Sequence, residues 1–176
     1  MKINNKMFSW RITKYNPCNR DINGIYTLPD EWTSYSDIGT VRDGKVFAYE
    51  DYKKIEDAYV ASILMIMDCN AVQKLKVVGL EKRGPLISYS YISEDMKEMY
   101  DKVRDGIYCS EDTINVVARL VLREKLWCKF EASSMFVHFG YDYYMYIGSA
   151  QMCKKEIQKI QEIGLYVEEQ ESPYSD

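Results

Sequence analysis

The segment 127–147 constrains the fold more than any other part of the chain. Three runs rich in branched and aromatic residues, 127–132, 135–139 and 143–147, are separated only by Ser133-Ser134 and by Gly140-Tyr141-Asp142. Two or three residues suffice for a tight hairpin and are far too few for the crossover that parallel strands need. The runs therefore predict a β-meander, and the rest of the chain must cover its apolar face.

Helices are available to do so. From Glu50 to about Asp68, the residues Tyr52, Ile55, Tyr59, Ile63, Ile66 and Met67 recur at spacings of three and four, and Glu50 and Asp51 in the first turn suit the helix dipole. Ser93 with Glu94 and Asp95 starts a second helix running to Arg104, with Asp105-Gly106 as its stop. Ser110 starts a third through Leu126, with Ile114, Val117, Ala118, Val121 and Leu122 on one face. A fourth is expected over 149–163, ended by Gly164. Further strands are expected at 8–13, where Phe8, Trp10 and Ile12 alternate with polar residues, and at 45–48, 74–81 and 165–169. A chain of 176 residues fits one domain. The reading is a single α+β domain over 1–176, an antiparallel sheet with a C-terminal meander and helices packed mainly on one face.

Between 16 and 39 there is no helical period, only turn formers, and a structured loop of that length is uncommon unless it is functional. Asn23-Gly24 between Ile22 and Ile25 predicts a tight hairpin turn. The same stretch partly matches a calcium loop, with Asn19, Asp21, Asn23, Thr27 and Asp30 at positions 1, 3, 5, 9 and 12 and Gly24 at 6. Asn at position 1, Pro at 11 and the shorter Asp at 12 weaken the match. A hairpin with Asx-type turns is the stronger reading, and an ion site through Asn19, Asp21, Asn23 and Asp30 is the alternative. No cofactor is expected, since no glycine-rich phosphate loop occurs.

His138 is the only histidine, so any acid–base or nucleophilic scheme must pass through it, with Asp142 as the nearest carboxylate partner. The plainer expectation is a strand histidine with a hydrogen-bonded partner. The five cysteines are scattered, with no C-x-x-C pair, and are read as reduced thiols. The longest strongly apolar run, 60–67, is too short for a membrane span, and the first residues lack the apolar core of a signal peptide, so a cytoplasmic protein is expected.

Charge and aromatic content point to a partner. The net charge is −4, and after Lys159 no basic residue follows while Glu162, Glu168, Glu169, Glu171 and Asp176 do. An acidic segment at 162–176 disfavours nucleic acid and suits a basic surface. There are 16 tyrosines, an excess that serves interfaces and half-buried strand faces alike. Two loops mix aromatics with carboxylates, 30–37 and 140–146. Trp32, Tyr35, Asp37, Tyr141, Asp142 and Tyr144 are accordingly expected to form one partner-binding patch.

The stretch Trp10-Arg11-Ile12-Thr13-Lys14-Tyr15-Asn16-Pro17, with Arg20-Asp21, Asn23-Gly24-x-Tyr26 and Asp30-Glu31-Trp32-Thr33-Ser34-x-Ser36-Asp37-Ile38-Gly39, resembles a family of small uncharacterised bacterial cytoplasmic proteins. The hairpin Phe136-Val137-His138-Phe139-Gly140-Tyr141-Asp142-Tyr143-Tyr144-Met145-Tyr146 extends the resemblance over most of the chain. In size, acidity and α+β layout the chain is also similar in type to immunity proteins, which neutralise toxins delivered by neighbouring bacteria. That similarity implies a non-enzymatic inhibitor of a basic toxin or nuclease.

Overall fold

A computed structural model describes residues 7–28, 34–86, 90–141 and 143–175. In chain order the elements are β1 (Phe8–Thr13), two 3-10 turns (Pro17–Asn19 and Tyr35–Asp37), β2 (Val41–Arg42), β3 (Lys45–Val46), α1 (Tyr49–Cys69), β4 (Lys74–Lys82), α2 (Glu94–Lys102), β5 (Tyr108–Ser110), α3 (Glu111–Leu122), β6 (Leu126–Ala132), β7 (Met135–Phe139), β8 (Met145–Ser149), α4 (Lys154–Glu162) and β9 (Tyr166–Glu169). Seven strands form one antiparallel sheet in the order β5-β4-β6-β7-β8-β1-β9, and β2 pairs with β3 alone. This is an α+β fold, with the meander β6-β7-β8 at the centre of the sheet. Among the described residues, no helix is long and apolar enough to cross a membrane.

Alternation along the strands gives the sheet two unlike faces. One presents Leu75, Val77, Cys128, Phe130, Met135, Val137, Met145, Ile147 and Ile12 to Ile63, Ile66, Met67, Ile114, Val117, Leu120 and Ile160 of the helices, and this is the core. On the other, register places Val78, Lys129, His138, Tyr146, Arg11 and Glu168 in one transverse row. The neighbouring row holds Lys76, Glu131, Phe136, Gly148 and Ser9. Phe136 lies flat where Gly148 has no side chain; a Cβ there would sit 1.9 Å from the ring. The segment after β9 crosses this second face, with Ser172 Oγ 2.8 Å from His138 Nδ1 and Lys129 Nζ donating to the Tyr174 carbonyl at 2.9 Å.

A second organising device is a buried charge cluster between α1 and α3. Glu56 is fully buried and accepts from Arg123 Nε at 2.6 Å and Arg123 Nη2 at 2.7 Å, from Arg119 Nη1 at 2.8 Å and from the Tyr52 hydroxyl at 3.1 Å. The Arg123 guanidinium also packs under the rings of Tyr35 and Tyr49, and its Nη2 donates to the Tyr49 hydroxyl at 3.1 Å.

The strand expected at 45–48 ends at Val46 and the helix expected to reach Arg104 ends at Lys102, and three boundaries differ further from the sequence reading. The third helix ends at Leu122, not Leu126, because Arg123, Glu124 and Lys125 close it and Leu126 already belongs to β6. The strand expected at 143–147 lies at Met145–Ser149, since Tyr143 takes a left-handed φ of 63° and stays in the turn. Ser149 pairs with Phe8, so the last helix starts only at Lys154. The acidic segment is not wholly solvated: Glu168 accepts from Arg11 at 2.9 Å and lies 3.6 Å from Arg20.

The expectation of five reduced thiols is also corrected, because Cys69 and Cys153 are joined in a disulfide. They lie 84 residues apart, and only the packing of the end of α1 against the start of α4 brings them together. Cys18 is exposed, whereas Cys109 and Cys128 are buried, and burial pushes the Cys109 thiol up to about 11 and the Cys128 thiol higher still. In the native, unreduced protein, iodoacetamide should therefore alkylate Cys18 quickly and the two buried thiols only after unfolding, because the thiolate is the attacking form. Peptide mapping without reductant should recover Cys69 linked to Cys153. Rapid labelling of Cys69 or Cys153 in that sample would contradict the pairing.

Candidate functional site

Antiparallel pairing brings the end of β4, the start of β6, the end of β7 and the start of β8 together at one end of the sheet, beside the C-terminus of α3. There they enclose a cavity of about 310 Å³, at the lower end of the size range of small-ligand sites. Its floor is Tyr59, Leu126, Phe139 and Met145; its walls and mouth include Glu81, Arg83, Glu124, Trp127, Tyr141, Tyr144 and Tyr174.

The lining is fixed by hydrogen bonds. A bulge after Val78, with Gly79 at φ 67°, shifts the register of β4 and sets Glu81 opposite Trp127. The Trp127 indole N–H donates to the Phe139 carbonyl at 2.9 Å, and the ring meets Tyr174 edge-on at 6.3 Å. The hairpin is tied down from three sides: the Tyr59 hydroxyl donates to the Tyr143 carbonyl at 2.7 Å, the Tyr143 hydroxyl donates to the Leu122 carbonyl at 3.0 Å, and the Tyr35 N–H donates to the Tyr143 hydroxyl at 3.2 Å. Burial raises the Tyr59, Tyr143 and Tyr174 hydroxyls above the ordinary tyrosine range, so all three remain protonated donors.

Backbone strain gathers here as well. Among the described residues, six non-glycine positions have positive φ, and two of them, Glu124 (58°) and Tyr143 (63°), line this cavity. Glu124 follows the cap of α3: its N–H donates to the Val121 carbonyl and that of Lys125 to the Leu120 carbonyl, both at 2.9 Å. This is the helix stop for which glycine is the preferred residue, and α4 ends in the same way on Gly164. A left-handed Glu costs about 1 kcal/mol relative to glycine at such a position.

Of the six residues expected to form a patch, the structure brings Tyr141 and Tyr144 to the cavity. Tyr141 is 76 % exposed at its mouth. Tyr144 is half-buried, packed on Tyr15 with Arg11 and Arg20 over its ring, and its hydroxyl accepts from Arg20 at 2.9 Å. Tyr35 and Asp37 serve their own loop instead. The Tyr35 hydroxyl donates to the Ser90 carbonyl, and its ring lies against Tyr52, Arg123 and Lys125. The Asp37 carboxylate accepts from the Ser34 N–H at 2.8 Å and lies 3.8 Å from Arg42. Trp32 and Asp142 lie outside the described residues.

The alternative sites fall elsewhere. His138 is 3 % exposed beneath the C-terminal segment, stacked on Phe136, with Nε2 3.7 Å from Glu131. It does not line the cavity, and Asp142, its proposed partner, is not described. In the 19–30 loop, Asp21 Oδ1 accepts from the Asn23 and Ile25 N–H groups at 2.9 Å, the Asx turn expected there, and the Asn19 carbonyl accepts from the Thr27 hydroxyl. Asp30 lies outside the described residues. Cys69, Cys153 and Glu156 cluster within 4.8 Å, and while the two sulfurs are bonded to each other only Glu156 keeps a ligand atom.

Glu81, Glu124, Trp127 and Tyr174 do not stand out as site residues in the sequence. A helix read through Leu126 hides the turn that aims Glu124, and the bulge that sets Glu81 beside Trp127 exists only once β4 and β6 pair. Neither a protein-family model, nor a curated protein, nor a solved structure matches the chain.

Proposed function

We propose that this chain is a non-enzymatic binding protein whose partner presents a basic surface, and that it acts in the cytoplasm as an immunity protein against a basic toxin or nuclease. The observation that carries this reading is the preformed aromatic cavity with Tyr141 standing exposed at its mouth. A rigid aromatic anchor site needs little ordering on association, which is where interface affinity is usually lost. The net charge of −4 favours approach of a cationic partner. In a reducing cytoplasm the Cys69–Cys153 pair would stand as two thiols, and nothing in the cavity depends on that bond.

The test is titration of this protein with the products of the genes that neighbour its own, together with survival of cells expressing each product with and without it. Binding and protection are expected. Tyr141→Ala should weaken binding by about 2–4 kcal/mol, roughly 30- to 1000-fold, while leaving thermal stability nearly unchanged. A neighbouring product that is neither bound nor neutralised would overturn the reading.

A further inference from the structure

We infer that the cavity is a receptor for one arginine side chain of the partner. The inference rests on the binding reading above and names the chemistry of its anchor. About 310 Å³ admits a side chain with a flat cationic head but not an element of secondary structure. Trp127, Tyr141 and Tyr174 supply aromatic faces, the surfaces on which a weakly hydrated, planar guanidinium stacks best. The fold already uses this chemistry internally, with Arg11 and Arg20 over Tyr144 and Arg123 over Tyr35 and Tyr49.

Charge at the mouth agrees. Glu81 and Glu124 line it, and among the described residues neither lies within 4.0 Å of a cation. Arg83 is the one cation among the described lining residues, so two carboxylates outweigh it there. The position of Glu124 is an independent pointer. It occupies a helix stop that glycine would fill without strain, as Gly164 does for α4, and strain of this kind accumulates where a side chain is kept for a ligand.

The experiment uses the full chain labelled with ¹⁵N, the Trp127 indole N–H assigned through Trp127→Phe, and two probes, N-acetyl-arginine-N-methylamide and its neutral citrulline counterpart. The arginine probe should shift the Trp127 signal saturably, and the citrulline probe should bind about tenfold more weakly or not at all. Glu124→Gly should weaken the arginine probe about tenfold while the melting temperature stays at or above that of the parent, which a purely structural role for Glu124 would not produce. Arg83→Gln should tighten binding. The inference is overturned if Trp127 does not respond, if citrulline binds as well as arginine, or if Glu124→Gly leaves affinity unchanged. A chain that binds the toxin but ignores the arginine probe loses only this inference; one that takes the probe but binds no toxin loses only the function proposed above.

Discussion

Glu56→Ala should lower folding stability by about 3–5 kcal/mol and the melting temperature by roughly 6–20 °C, measured by urea and thermal unfolding. The reason is not the lost attraction alone. Arg123 is 2 % exposed, and two of its guanidinium nitrogens end on the Glu56 carboxylate. Without that carboxylate, a charge stays in the interior with only the Tyr49 hydroxyl and the Tyr91 carbonyl as polar oxygen partners. An isolated buried cation costs far more than an exposed one. Glu56→Gln, which keeps the shape and one acceptor oxygen, should lose less than Glu56→Ala. A loss below about 1 kcal/mol for the alanine variant would mean that water solvates Arg123 and that the cluster is not closed.

Gly148→Ala should be nearly as damaging, at about 3 kcal/mol, for a steric reason. The added methyl would lie 1.9 Å from the Phe136 ring, and that ring is also stacked at 4.3 Å on His138, which Ser172 of the C-terminal segment contacts. Overpacking where neighbours cannot yield costs at the upper end of the usual range. The cause is separable by a double-mutant cycle: Phe136→Ala removes the three ring atoms nearest the added methyl, so in that background the penalty should fall by more than half. Equal penalties in both backgrounds would show that the strand backbone, not the ring, resents the substitution.

How much of this was legible in the sequence depends on the range of the interaction. The meander could be read because Ser133-Ser134 and Gly140-Tyr141-Asp142 are local turn chemistry, and α1 because its apolar period runs unbroken from Tyr52 to Met67. The antiparallel sheet with helices on one face followed from those two signals. The helix end at Leu122 was not legible, because Leu126 continues the apolar period of α3 and nothing local announces a left-handed Glu. The tyrosine excess was ambiguous for a physical reason. Tyr15, Tyr52 and Tyr59 are fully buried, whereas Tyr108 and Tyr141 stand in solvent, and composition cannot tell the two uses apart. The cavity was half legible: Tyr141 and Tyr144 lie in the hairpin that patterning exposed, but their companions Trp127, Glu124 and Glu81 arrive from strands and helices whose pairing is long-range.

The order β8-β1-β9 has a consequence for synthesis. β1 leaves a ribosome well before either of its partners, which are made about 130 residues or more later. Until β8 emerges, Trp10 and Ile12 have no strand to pair with, and until β9 emerges β1 itself is the unpaired edge of the sheet. Elongation at roughly 5–20 residues per second makes that interval several seconds, long compared with hairpin formation. The meander and its helices can condense first, and β1 then has to take its place between β8 and a strand still to be made. A nascent chain of this protein is therefore an open sheet waiting for a strand it already possesses, and premature termination before residue 166 would leave β1 without its outer partner, its edge exposed to the cell.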